Sequence, residues 1–293
     1  GDIDHYRSFT YLFNGELPVT LNKEIILGCK PASWTDSPRW IASPYLLGGG
    51  NGLNLTHDLT TAFYMNNGLD INDPGSGYPS NNEAHEQIGG SNQDFSGYTI
   101  SNQAAKMYNN RETRFYATIG FCHGFWPGTS YTGTDGSLKN SVVTYYSNGN
   151  GGPNPSFPAD YNHTGYTCKK YIHQEDNMKG SAKVKYYPIF RYAEILLNYV
   201  EAINELEAPF TMEVFNGESV SVERDVKDIV KYFNLIRYRA GLPGITTTDA
   251  ADPTYIRNLI KRERQIEFAC EGRRYHDLRR WGNDAMTEYN KPI

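Results

Sequence analysis

Four ionisable side chains near the end of the chain carry the strongest chemical signal. Drawn as one helix over 253–281, the segment collects Ile256, Leu259, Ile260, Ile266, Cys270, Leu278 and Trp281 on an apolar side. Glu263, Glu267, Arg274 and Asp277 fall inside that same side. Burying an unpaired charge is prohibitive, so these groups must be paired or must do chemistry. Two carboxylates on one face could be the acid and the nucleophile of a glycosidase. Alternatively the four form an internal ion network with Arg274 as hub, completed by Arg237, Arg239 and Arg191 from other helices. The network is the better reading, because every acid has a base close in sequence and the segment is not a loop at a cleft.

A second signal is aromatic. Between positions 115 and 166 stand 11 aromatic residues, against three charged ones, Asp135, Lys139 and Asp160. Aromatic faces stack on the C–H faces of sugar rings, and Asn, Ser, Thr and Tyr hydrogen-bond hydroxyls as donors and as acceptors. The expected ligand platforms are Phe125, Trp126 and Tyr131, with Tyr145 and Tyr146 in the same stretch and Trp34 and Trp40 before it. The alternative chemistry here is hydrolysis by loop carboxylates such as Asp94, Asp135 or Asp160. Asp70-x-Asn72-x-Pro74-Gly75 opens like a calcium loop, but Pro74 at the fifth position and Asn81 at the twelfth break the pattern. The chain has no His-Glu-x-x-His and no Gly-x-Ser-x-Gly, and its glycine run at 48–52 lacks the Lys-Ser/Thr pair of a phosphate loop. No cofactor is expected; a structural calcium ion would be the exception.

The elements that must position these groups differ along the chain. With 28 basic and 33 acidic residues the formal charge is −5, which gives no overall footprint for nucleic acid. No apolar run approaches the roughly 18 residues of a membrane helix. Tyr (23) outnumbers Phe (13) and Trp (4) combined, and 26 Asn accompany them, a composition suited to a neutral hydroxylated ligand. Cys29, Cys122, Cys168 and Cys270 form no Cys-x-x-Cys pair, so zinc-ribbon and thioredoxin chemistry are excluded and buried free thiols are expected.

Charged residues are denser after position 180, where helical periodicity is legible. Helices are expected over 189–207, over 221–240 with a stop at Gly241-Leu242-Pro243, and over 253–281 from an Asp252 cap with Pro253 in the first turn. The basic cluster of the last helix, which includes Arg257, Lys261, Arg264, Arg274 and Arg280, alternates with acids and reads as intrahelical pairing. Earlier, a short helix at 54–67 is capped by Thr56 and stopped at Gly68. Strand-like runs lie at 114–121, 141–146 and 167–173 among Gly and Asn clusters.

Three stretches together resemble the SusD/RagB family. They are Arg191-Tyr192-Ala193-Glu194-Ile195-Leu196-Leu197 with Val200-Glu201-Ala202, then Asn234-x-Ile236-Arg237-x-Arg239-Ala240-Gly241-Leu242. The third is Arg262-Glu263-Arg264-x-x-Glu267-Phe268-Ala269-x-Glu271-Gly272-x-Arg274-Tyr275-x-Asp277-Leu278-Arg279-Arg280-Trp281. Weaker echoes stand at Asn66-Asn67-Gly68, at Arg111-x-x-Arg114-Phe115-Tyr116, and at Gly165-Tyr166 with Lys169-Lys170.

The resemblance implies a mainly α fold, a tetratricopeptide-like helical scaffold bearing a large loop-rich, short-strand ligand face. It implies one SusD-like domain over 1–293, with 1–188 as ligand face and 189–282 as scaffold, forming the central and C-terminal part of a longer chain. It further implies a non-enzymatic glycan-binding lipoprotein of the outer face of the outer membrane, held by a lipidated N-terminus not present in this chain. Its partner would be a SusC-like, TonB-dependent transporter. A scaffold with its ligand site in the missing N-terminal part is the remaining alternative.

Overall fold

Side-chain caps open several of the helices. A computed structural model describes residues 3–29, 50, 52–127, 141–153, 158–159, 161–176, 182–282 and 287. It divides into two units, Gly1–Tyr192 with Arg239–Leu242, and Ala193–Tyr238 with Pro243–Ile293. Helix is the main regular structure, and the described strands are short and paired two by two.

The first unit holds helices α1 (His5–Thr10), α2 (His57–Ala62) and α3 (Thr113–Thr118). Thr56 caps α2 as expected, its side chain accepting the N–H of Leu59, but the helix stops at Ala62 and does not reach 67. Strand β1 (Ile25–Cys29) pairs with β8 (Tyr187–Arg191), and β4 (Ile119–Phe121) with β7 (Tyr166–Cys168). Strand β5 (Phe125–Trp126) pairs with β6 (Ser141–Val142). Strands β2 (Gln93–Phe95) and β3 (Tyr98–Ile100) form a hairpin whose two turn residues, Ser96 and Gly97, both have positive φ, the geometry that matches strand twist.

The run at 114–121 is therefore helix first and strand only at its end. Those at 141–146 and 167–173 shorten to two and three strand residues. Rings fill this core: Phe9, Phe63, Phe115, Phe121, Phe125 and Trp126 are wholly buried.

Among its described residues the second unit holds four named α-helices. Tyr192–Asn204 is α4, Val226–Arg239 is α5, Pro253–Glu267 is α6 and Arg274–Arg280 is α7. Ala193, Leu197 and Val200 of α4 meet Ile229, Phe233 and Ile236 of α5 and Ile256 and Ile260 of α6 in one buried cluster.

Three boundaries depart from the periodic reading. Residues 187–191 are strand before α4 begins. Residues 219–222 are β10 (Ser219–Val222), which pairs with β9 (Phe210–Glu213) around Gly217, so α5 starts later than 221. The long last helix is two helices: the chain leaves the α region after Glu267, with Cys270 at φ 63° and Gly272 at φ 72°. Glycine takes that conformation freely and Cys270 does not, which is why periodicity alone ran through the break. At the other end of α6, Asp252 accepts the N–H groups of Thr254 and Tyr255, with Pro253 in the first turn.

The break re-sorts the ion network. Arg264, which the single-helix wheel left outside the buried group, is its hub. Its Nε and Nη2 donate to the two Asp277 oxygens at 2.9 and 2.8 Å, and its Nη1 donates to Asn198 at 2.7 Å. Arg274, expected as hub, is half-buried at the start of α7. Glu263 and Glu267 are fully buried as expected, and Arg237 lies 3.8 Å from Glu263. In the first unit, Arg191 and Arg239 both pair with Glu24, at 2.8 and 3.2 Å, a carboxylate the sequence pattern did not single out. The four cysteines are free thiols, as expected, but only Cys168 is buried and Cys29 is exposed.

Candidate functional site

An open surface of the first unit starts at the turn after β4. His123 has φ 65°, and its N–H donates to the Val143 carbonyl at 2.6 Å, while Val143 donates back to Gly124 at 3.0 Å. These bonds fix the exit of β6. The next stretch, 144–152, is closed by Asn150. Its side-chain oxygen accepts the Thr144 N–H at 2.7 Å, its amide donates to the Val142 carbonyl at 2.8 Å, and its own N–H donates to the Thr144 hydroxyl at 2.8 Å.

Glycine is required for that closure. A Cβ on Gly152 would sit 1.9 Å from the Tyr146 carbonyl oxygen, and one on Gly151 would sit 2.9 Å from the Tyr145 ring. The Gly/Asn cluster is thus a clamp that turns Tyr145 inward and Tyr146 outward.

Tyr146 is 55% exposed, its ring centroid 5.8 Å from that of His123. Burial holds the His123 imidazole below its usual pKa, so at neutral pH it is uncharged, with one donor and one acceptor nitrogen. The Gly151 carbonyl accepts the N–H of Asn162, which lies between Tyr161 and His163. Those two rings lie 4.3 Å apart, and His163 is exposed. Two aromatic pairs therefore flank one loop closed by hydrogen bonds. Their chemistry is stacking together with two-way hydrogen bonding.

The expected platforms fare differently. Phe125 stacks on Tyr98 at 4.4 Å and 10°, carries the Lys169 ammonium 3.5 Å from its centroid, and has no open face. Trp126 is equally buried, packed against Gly120, and its indole N–H and the Tyr145 hydroxyl have no hydrogen-bond partner among the described residues. These rings are core because burying a large ring gains more than presenting it. Tyr146 remains as a surface group; Trp34, Trp40 and Tyr131 lie outside the described residues. His123, Tyr161 and His163 were missed. The signal available was their place at either side of the Gly/Asn cluster, not ring size.

A cavity of about 170 Å³ in the same unit is lined by Asn66, Gln93, Asp94, Asn109 and Arg111 among others. Asp94 is exposed on β2. The other lining carboxylate, Glu112, is fully buried, 2.7 Å from Arg114 Nε, and accepts the Tyr64 N–H at 2.9 Å. A glycosidase needs two carboxyl groups facing the substrate, and a carboxylate locked in this pair cannot act as its acid. Asp135 and Asp160 lie outside the described residues. Among the described residues no group of His, Cys, Asp and Glu could hold a metal ion. Asp70 instead accepts the backbone and side-chain N–H groups of Asn72.

Comparison with known proteins places this architecture. The SusD family model matches residues 24–293. The chain is 31% identical over 124 residues to SusD-like protein P2 of Formosa agariphila, covering 40% of this chain and 21% of that one. Among solved structures it is similar to a SusD-like protein of Bacteroides fragilis, at 28% identity and a TM-score of 0.62, covering 96% of this chain and 48% of the other. It shares its fold with a SusD-like carbohydrate binding protein of Bacteroides fragilis, at 22% identity and a TM-score of 0.61, covering 94% and 45%. The chain spans about half the length of these solved relatives. With its family motifs on α4, α5, α6 and α7 and the family model matched over nearly its whole length, the chain belongs to the SusD family.

Proposed function

We propose that this protein captures a glycan at the cell surface without cleaving it and passes it to a SusC-like, TonB-dependent transporter. The carrying observation is the pair of aromatic couples, His123–Tyr146 and Tyr161–His163, that flank the glycine-closed loop. A platform fixed before the ligand arrives loses little entropy on binding. Membership of the SusD family supports the same reading. In it, residues 1–293 act as one SusD-like domain, the second unit is a tetratricopeptide-like scaffold, and the protein sits on the outer face of the outer membrane, tethered by a lipidated N-terminus. No described helix is long and apolar enough to cross a membrane.

A glycan array followed by calorimetry, with product analysis of each hit, tests the proposal. Binding without turnover that weakens in Tyr146→Ala is the expected outcome. Product release would favour a hydrolase. Silence from a folded sample would move the ligand site to residues outside this chain.

A further inference from the structure

The second unit carries the hairpin of β9 and β10, which the glycan reading does not use. Its turn is well formed. Gly217, at φ 81°, donates its N–H to the Val214 carbonyl at 2.8 Å, and Val214 donates to the Glu218 carbonyl at 2.8 Å. The Asn216 side chain accepts the Glu218 N–H at 3.1 Å. The register sets Val222 opposite Phe210 and Val220 opposite Met212, so strand alternation gathers these four side chains on one face. Thr211 and Glu213 stand opposite Ser221 and Ser219 on the other. The apolar face is uncovered: Phe210, Met212 and Val220 are 53, 43 and 41% exposed, and Phe215 at the tip is fully exposed. A two-stranded sheet alone is marginal in water, and a bare apolar face makes it more so. Among the described residues neither strand pairs with a third, so each leaves one edge of backbone N–H and C=O groups open.

Charge decides what can cover this face. Residues 206–223 hold four carboxylates, Glu207, Glu213, Glu218 and Glu223, and no basic side chain. Glu213, Glu218 and Glu223 are exposed and have no ion pair among the described residues. A second copy of the hairpin would set like charges together, and an anionic lipid surface would be repelled in the same way.

We propose that the hairpin is a docking surface for an extended basic segment of a partner protein. The segment adds a strand to an open edge, lays its apolar residues beside Phe210, Met212 and Val220, and sets lysine or arginine at the alternate positions near the carboxylates. The hairpin belongs to a different unit from the glycan loop, and the inference stands whether or not that loop binds.

The probe is a fluorescein-labelled peptide of three Lys-Val repeats, titrated into the full chain by anisotropy. Its controls are three Glu-Val repeats and a block peptide of three lysines followed by three valines, which has the same charge but no alternation. The alternating basic peptide should bind about tenfold more tightly than the acidic one and severalfold more tightly than the block peptide. Met212→Ser with Val220→Ser should bring it down to the level of the block peptide. Glu213→Gln with Glu218→Gln should weaken it about two- to tenfold. Both double variants should melt like the parent, because the side chains are exposed. Tyr146→Ala should leave peptide binding unchanged, which separates failure at the glycan loop from failure here. Equal binding of the alternating and block peptides, or binding that survives Met212→Ser with Val220→Ser, would overturn the proposal. So would a chain that sediments as a dimer and turns monomeric in that variant, since a second copy would then be the occupant. Binding to phosphatidylglycerol vesicles that the same variant abolishes would overturn it in favour of a membrane.

Discussion

In the loop-rich unit, the Lys169 ammonium is buried 3.5 Å from the centroid of the Phe125 ring and 3.3 Å from that residue's carbonyl oxygen. In the helical unit, Arg264 is buried against both oxygens of the Asp277 carboxylate. Arg111 repeats the first arrangement: it lies 4.7 Å over Phe115 and donates to the carbonyls of Thr60, Phe63 and Met107. Arg237 of the helical unit combines the two devices: it lies 3.8 Å from Glu263, and its Nε donates to the Pro243 carbonyl at 2.6 Å. One unit solvates cations with rings and backbone carbonyls, the other with opposite charge. The first device suits a loop-rich chain, which has many carbonyls outside regular ladders to satisfy. The second suits helices, whose carbonyls are already bonded, so that a buried arginine must find a side chain. Neither division is absolute, since Lys185–Asp176 and Arg114–Glu112 are buried pairs of the first unit.

The sharpest way to break this comparison is to remove one partner of the helical hub. Asp277→Asn leaves Arg264 buried without its counter-ion and should cost about 3–5 kcal/mol in urea unfolding. The double change Arg264→Met with Asp277→Leu should recover much of that loss, because an apolar pair of similar volume needs no desolvation. A loss below about 1 kcal/mol in the single variant would mean that the pair is not structural. Trp126→Ala should cost a similar 3–5 kcal/mol by opening a cavity in the ring-filled core, and should weaken glycan binding only as far as it unfolds the protein. A folded Trp126→Ala protein that has lost binding would return that ring to the ligand surface.

The ring-solvated cation has its own signature in pH. Burial pushes the Lys169 pKa well below the ordinary lysine value. Between that lowered pKa and the usual lysine range, the unfolded chain binds a proton that the folded chain does not, so stability rises with pH across the window. Lys169→Met should abolish this rise and leave the protein at least as stable at neutral pH. Thermal melts of both proteins between neutral pH and the lysine range would show it, and identical slopes would count against a Lys169 side chain whose protonation burial disfavours. A smaller effect, about 1 kcal/mol, is expected for Asp252→Ala, which removes the two capping bonds at the start of α6.

These elements also show what could be read from residues alone. Asp252-Pro253 and Gly241 mark helix ends because their chemistry is local: a side-chain acceptor, a fixed φ, a missing Cβ. Gly241, at φ 76°, does end α5. The break after Glu267 was not legible, because Cys270 in the left-handed region is imposed by packing and has no preference of its own to signal it. Periodicity placed Glu263, Glu267 and Asp277 among buried groups, yet named Arg274 as hub, since it is Arg264 of α6 that bonds Asp277 across the break, a contact a single straight helix does not contain. Phe125, Trp126 and Tyr145 are core and not platforms for a different reason. Composition counts rings without saying which face core and which face water, and buried Tyr145 stands directly beside exposed Tyr146.

Tyr146 is the residue where that distinction matters most and where the stability effect should be smallest. It is exposed, so Tyr146→Ala should change unfolding free energy by no more than about 0.5 kcal/mol. Its neighbour Tyr145 is buried against Gly151, and Tyr145→Ala should destabilise by several times that amount. In binding the order should reverse. Loss of one stacking face is worth about 0.5–1.5 kcal/mol, roughly 2- to 13-fold in Kd, and it should appear in Tyr146→Ala with the melt unchanged. Gly152→Ala supplies the complementary test: its Cβ cannot coexist with the Tyr146 carbonyl, so the loop must open and Tyr146 must lose its fixed pose. If glycan affinity survives both Tyr146→Ala and Gly152→Ala, the clamp is only a way of closing the core. If both lower it, the same glycines that pack the loop also hold the ring that meets the ligand.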